Sequence, residues 1–120
     1  MPAVRTALAH ADSGGTAYLF RFDWTPAGER TRFGAAHGFD EPFVWGVEPS
    51  DKLPLMEGSH DAAIVARQMS DALIAFARNG DPGWPAVATP SPLSKTFGGD
   101  EEIAALDDPL LATFEGADRR

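Results

Sequence analysis

Three histidines, at positions 10, 37 and 60, are the side chains of this sequence best suited to moving protons at neutral pH. Cysteine is absent, which removes a thiolate nucleophile, a cysteine metal site and a disulfide framework together. The histidines lie far apart in sequence and lack the i,i+4 pairing of a helix metal motif such as His-Glu-x-x-His, so they do not read as a metal centre. Serine hydrolysis would require a serine on a strained turn, commonly Gly-x-Ser-x-Gly, with an imidazole and a carboxylate. No such pentapeptide occurs. Gly58-Ser59-His60 does put a serine beside a histidine, but adjacent side chains diverge, and Ser59 stands where a helix cap is wanted. His37 differs in its setting: Gly34-Ala35-Ala36-His37-Gly38 is a small-residue loop that follows an aromatic strand pattern and precedes a helix start. Catalytic groups of open α/β sheets collect beyond the carboxyl ends of strands. By position alone, an ordinary solvent-exposed loop histidine outweighs a catalytic one. Asp40 and Glu41 could act as general acid or base, yet a helix dipole accounts for two carboxylates in a first turn. Trp24, Trp45 and Trp84 read as core or lid residues rather than a ligand cage.

The elements that would position these groups follow from periodicity. Val4, Leu8 and the intervening alanines fit a short helix closed by Asp12-Ser13-Gly14-Gly15. Residues 17–24 alternate as a strand with Tyr18, Phe20, Phe22 and Trp24 on one face and Leu19 on the other, ending at Thr25-Pro26-Ala27-Gly28. Residues 29–38 read as a loop, and Asp40-Glu41-Pro42 starts one or two helical turns anchored by Phe43, Val44 and Trp45. The clearest helix covers residues 61–78, where Ile64, Val65, Met69, Ala72, Leu73 and Phe76 recur at intervals of three and four. Ser59 or Asp61 would cap it, and Asn79-Gly80 would stop it. Pro85-Ala86-Val87-Ala88, Leu93-Ser94-Lys95-Thr96-Phe97 and residues 103–106 can be short strands, and Pro109 can start a last helix. One good strand and a few poor ones are too little for a sheet, so the sequence reads as part of a larger α/β core.

Composition narrows the function further. Ten Lys+Arg against eighteen Asp+Glu give a net charge of −8 with no basic cluster, which sets aside nucleic acid and anionic membrane surfaces as partners. Apolar runs fall far short of the roughly 20 residues that span a bilayer. The first ten residues lack the apolar run of a secretory signal, so the mature chain is expected to begin near Met1 and to be cytoplasmic.

Several ordered motifs then point in one direction. Tyr18-Leu19-Phe20-Arg21-Phe22-Asp23-Trp24, followed by Phe33-Gly34-Ala35-Ala36-His37-Gly38-Phe39-Asp40-Glu41-Pro42-Phe43-Val44-Trp45-Gly46, resembles the C-terminal part of type-B carboxylesterases, the group of cholinesterases and para-nitrobenzyl esterases. Arg67-Gln68-Met69-Ser70-Asp71-Ala72, Phe76-Ala77-Arg78-Asn79-Gly80-Asp81-Pro82 and Trp84-Pro85 are similar to that group's following helix and turn. Thr96-Phe97-Gly98 and Leu106-Asp107-Asp108-Pro109 resemble its closing segments. The similarity covers nearly the whole chain.

What the resemblance implies is specific. The fold would be α/β, the C-terminal portion of an α/β-hydrolase with its sheet incomplete, and residues 1–120 would form one part of a carboxylesterase domain. The His-Gly loop assigns the triad base to His37, without a cofactor or metal. The group places Glu three residues after that histidine and then an aliphatic residue; here Asp40 and Glu41 stand there, which makes Asp40 a candidate to support the His37 loop. The group's serine elbow, glycine-rich oxyanion loop and triad acid lie upstream, in sequence these 120 residues do not contain. The chain alone is therefore expected not to hydrolyse esters efficiently. Its partners would be a small ester in an intact enzyme, and a complementing N-terminal fragment or a second copy. The rival reading is a non-catalytic interaction or oligomerisation module derived from an esterase.

Overall fold

A computed structural model of the chain describes residues 2–47, 61–89, 92–100 and 102–106. Helix α1, Pro2–Asp12, is built from an alanine-rich stretch whose Val4, Ala7, Leu8 and Ala11 share one side. It ends as expected, with Gly14 at φ +90° and the Gly15 N–H bonded to the His10 carbonyl at 3.0 Å. Strand β1, Phe20–Phe22, is shorter than the 17–24 span that alternation suggests. The extended flanks instead use isolated bonds: Val87 N–H donates to Ala17 O at 2.8 Å, and Asp23 N–H to Phe97 O at 2.8 Å. Ladder length is set by the partner, because β2, Leu93–Phe97, follows the ring-locked Pro92 and ends at Gly98, whose φ is +78°.

The expectation that the strands are too few for a sheet is corrected. β1, β2 and β3 (Ile103–Ala105) form a three-stranded sheet with β2 in the middle. β1 runs parallel to β2 in the register Phe20↔Lys95 and Phe22↔Phe97; β3 runs antiparallel, with Lys95↔Ile103. A Gly98-Gly99 turn brings β3 back onto β2, a contact that short, polar-rich segments do not advertise through hydrophobic patterning. Pro85-Ala86-Val87-Ala88 forms no strand, and only Val87 is drawn in.

Two cores lie on opposite faces of this sheet, as the alternation in β1 requires. Leu19 joins Val4 and Val87 in one cluster beneath α1. Trp24 joins Phe43, Val65, Ala66, Met69 and Phe97 in the other, beneath helices α2 (Asp40–Val44) and α3 (Ala62–Asn79), with Phe22 packed against it. α3 stops where Asn79-Gly80 predicts: Gly80 takes the left-handed conformation at φ +71° and donates to Phe76 O at 2.8 Å. Asp61 occupies its N-cap without a side-chain cap bond, and Ser59 lies outside the described residues. Only the first half of α3 is buried; Leu73, Ile74 and Phe76 stay substantially exposed, as does Ile64, which periodicity assigns to the apolar face. The helix expected at Pro109 also lies outside the described residues.

Candidate functional site

The segment carrying His37 starts and ends in the larger core. Leaving β1, the chain buries Trp24 and Pro26, then enters a 3₁₀ helix, Gly28–Phe33, where the sequence reads as plain loop. Thr31 explains the difference: its hydroxyl donates to Pro26 O at 3.0 Å, and its carbonyl accepts from the Gly34 N–H at 3.0 Å. Gly34, at φ +59°, redirects the backbone. Phe39 N–H then donates to Ala36 O at 3.1 Å, closing a turn with His37 and Gly38 at its centre. Gly38 has φ +84°, the conformation a type II turn demands of its third residue and glycine supplies without strain. α2 follows at once, with Pro42 in its first turn and Phe43 fully buried. Phe43 meets Trp24 at 4.8 Å between ring centroids and Phe22 at 5.1 Å. Residues 24 and 43 therefore form a clasp around the loop, and His37 is held out to solvent on an anchored turn.

Both Asp40 and Glu41 lie in the first turn of α2, Asp40 partly buried and Glu41 exposed. Among the described residues the structure does not join His37 to Asp40 by a hydrogen bond. His10 ends α1 with its ring laid against Gly15, on the opposite face of the sheet from α2, and His60 lies outside the described residues. Of the tryptophans, Trp24 is core, Trp84 is partly buried against Tyr18 and Phe97, and Trp45 is 72% exposed, so the three do not converge. Of the described serines, Ser13 and Ser70 donate to the carbonyls of His10 and Arg67, and Ser94 is buried in β2. None stands on a strained strand-to-helix turn. Among the described residues no three His, Asp or Glu side chains could hold a metal ion, and no helix is long and apolar enough to cross a membrane.

The carboxyl ends of the parallel strands β1 and β2 open beside the His37 loop. A polar hollow there is lined by Arg21, Asp23, Ala35, Gly98, Gly99 and Asp100. Arg21 Nε and Nη2 donate to one Asp23 oxygen at 2.9 and 2.5 Å, pairing both charges at the strand end. Sequence reasoning missed this pair, although i,i+2 spacing on a strand places both side chains on one face. On the other side of β1 an apolar cleft of about 360 Å³ lies against α3, bordered by Tyr18, Phe20, Leu73, Phe76, Trp84 and Phe97. An imidazole at a carboxyl edge, with its turn braced by two buried aromatics, can accept and return a proton for a group brought to that edge.

Comparison with known proteins gives a consistent result. Residues 1–103 match the carboxylesterase family. The structure is similar to a PNB esterase at 28% identity and a TM-score of 0.72, over 95% of this chain and 24% of that one. It is similar to the Geobacillus stearothermophilus carboxylesterase EST55 at 26% identity and 0.71, over 93% and 24% of the two chains. An esterase from Clostridium hathewayi described as hydrolysing aliphatic aromatic polyesters aligns at 25% identity and 0.68, over 89% and 22%. The chain thus spans about a quarter of the solved chains it matches.

Proposed function

Because the chain belongs to the carboxylesterase family, with the α/β fold of an esterase segment and an incomplete sheet, we propose that it supplies the general base of a carboxylic-ester hydrolase and that His37 is that base. The observation that carries this reading is the placement of His37 on a glycine turn clasped by Trp24 and Phe43, beside the carboxyl edge of β1. A serine hydroxyl delivered to that edge would lose its proton to the His37 imidazole as its oxygen attacks the ester carbonyl. The imidazolium would return that proton to the departing alcohol oxygen, leaving an acyl-serine. His37 would then deprotonate a water in the same way to release the acid.

The serine, the oxyanion donors and the triad acid would come from polypeptide outside these 120 residues, which contain no Gly-x-Ser-x-Gly. The substrate class is a carboxylic ester, as the names of the PNB esterase and polyester-hydrolysing relatives suggest. The test is a chimera in which this chain replaces the matched quarter of a PNB esterase. The chimera should hydrolyse a para-nitrobenzyl ester; His37→Ala should remove nearly all turnover, about 10⁴-fold, and His10→Ala should change it little. Equal activity in the two folded variants would refute the assignment.

A further inference from the structure

β1 is paired on one side only. Leu19 O accepts from Lys95 N–H and Asp23 N–H donates to Phe97 O, so the odd-numbered peptide groups face β2. The N–H and C=O groups of Phe20 and Phe22 consequently point to the other edge, where no described strand lies. An open edge of this kind is a template for another strand, and parallel strands occur inside sheets covered on both faces rather than at a bare rim. The apolar cleft adjoins the same strand: Phe20, Leu73 and Phe76 line it at 48%, 42% and 46% exposure, far from the burial such side chains reach in a finished core.

Two further observations bear on the occupant. The PNB esterase that this chain matches over 95% of its own length has only 24% of its own length in the match, so about three times as much chain accompanies the same fold there. A second copy is a poor occupant, because pairing would bring together two chains each carrying −8.

We propose that the open edge of β1, together with the adjoining apolar cleft, seats an extended strand from the remaining body of a carboxylesterase, and that this joint brings His37 to its nucleophile. The identity of the partner rests on the function proposed above. The seat itself rests on the backbone geometry of Phe20 and Phe22.

The experiment co-expresses the 120-residue chain with the portion of a PNB esterase outside the matched quarter, isolates any complex by size exclusion, and measures amide exchange residue by residue. The Phe20 and Phe22 amides should exchange at least about 100-fold more slowly in the complex than in the free chain, while the Arg21 amide, already turned toward β2, should change much less. Phe20→Pro deletes the outward N–H and leaves the bonds to β2 available, whereas Phe20→Ala removes the ring and keeps the N–H. The proline variant should bind at least about tenfold more weakly than the alanine variant, the effect of roughly 1.4 kcal/mol. Failure to associate, a complex that leaves both amides unprotected, or protection of both amides in a homodimer of the chain each overturns the proposal. Association with both amides protected but no ester hydrolysis upholds the seat and overturns the catalytic reading, so the two fail separately.

Discussion

Gly98 offers a quantitative test of the architecture that carries His37. It ends β2 at φ +78°, and a Cβ added there would lie 2.4 Å from Trp24 Cβ, 2.6 Å from its Cα and 2.7 Å from its N. Two of those three atoms are main chain, so a side-chain rotation cannot relieve the overlap. Trp24 itself is buried against Phe43, and moving it would shift the clasp around the loop. The left-handed backbone costs alanine about 1–2 kcal/mol, and forcing volume into a filled site adds about 1–3 kcal/mol, for roughly 2–5 kcal/mol in total. Gly80→Ala is the matched control, because Gly80 shares the positive φ at +71° and has nothing within 4 Å of the added Cβ. Only the backbone cost, about 1–2 kcal/mol, should appear there. Thermal unfolding followed by circular dichroism reads both. At about 4 °C or more per kcal/mol for a chain of this size, Gly98→Ala should lower Tm by roughly 8–20 °C and clearly more than Gly80→Ala. Equal shifts would show that Gly98 does not press on Trp24 and that the proposed anchorage of the His37 segment is wrong.

Phe43→Ala should destabilise the chain by about 3–5 kcal/mol in urea unfolding, because Phe43 is fully buried between Trp24 and Phe22; a loss below about 1 kcal/mol would contradict the clasp. A pH effect is expected at the β2–β3 hairpin. The hydrogen bond from Lys95 holds the Glu102 carboxyl below the usual glutamate range, with the Lys95 charge adding to it. The folded value lies below the unfolded one, so this pairing stabilises the native state above the ordinary glutamate range and is lost as pH falls through the lowered value. Titration of the Glu102 carboxyl by NMR should show that lowered midpoint and its return toward the ordinary value in Lys95→Met. The 120-residue chain alone should not turn over aryl esters faster than free imidazole, and turnover abolished by a serine-directed phosphonate would contradict the missing nucleophile.

Where hydrophobic periodicity was strong, sequence and structure agree: α3 ends on the left-handed Gly80, and the alternation of Leu19 against Phe20 and Phe22 separates the two cores. Strand pairing was less legible. Whether Leu93-Ser94-Lys95-Thr96-Phe97 becomes a central strand depends on Gly98-Gly99 turning β3 back and on the distant β1 arriving in register, neither of which is a local property. The same holds for residues 28–33, where the Thr31 hydroxyl reaches Pro26 and winds a helix from residues that read as loop. At the site, the turn around His37 was visible in Gly38 and in the Asp40-Glu41-Pro42 start of α2, whereas the ring contact of Trp24 with Phe43 that braces it joins residues far apart in sequence. The support sought from Asp40 for His37 does not appear as a hydrogen bond among the described residues.

The most direct test of His37 as the base is the rate at which the chimera's serine is phosphonylated, since that step needs the hydroxyl proton removed but no turnover. With His37 present, a fluorophosphonate should label the serine rapidly, and with His37→Ala in a folded chimera the pseudo-first-order rate should fall by about 10³-fold or more. Labelling at an unchanged rate in His37→Ala would contradict the account.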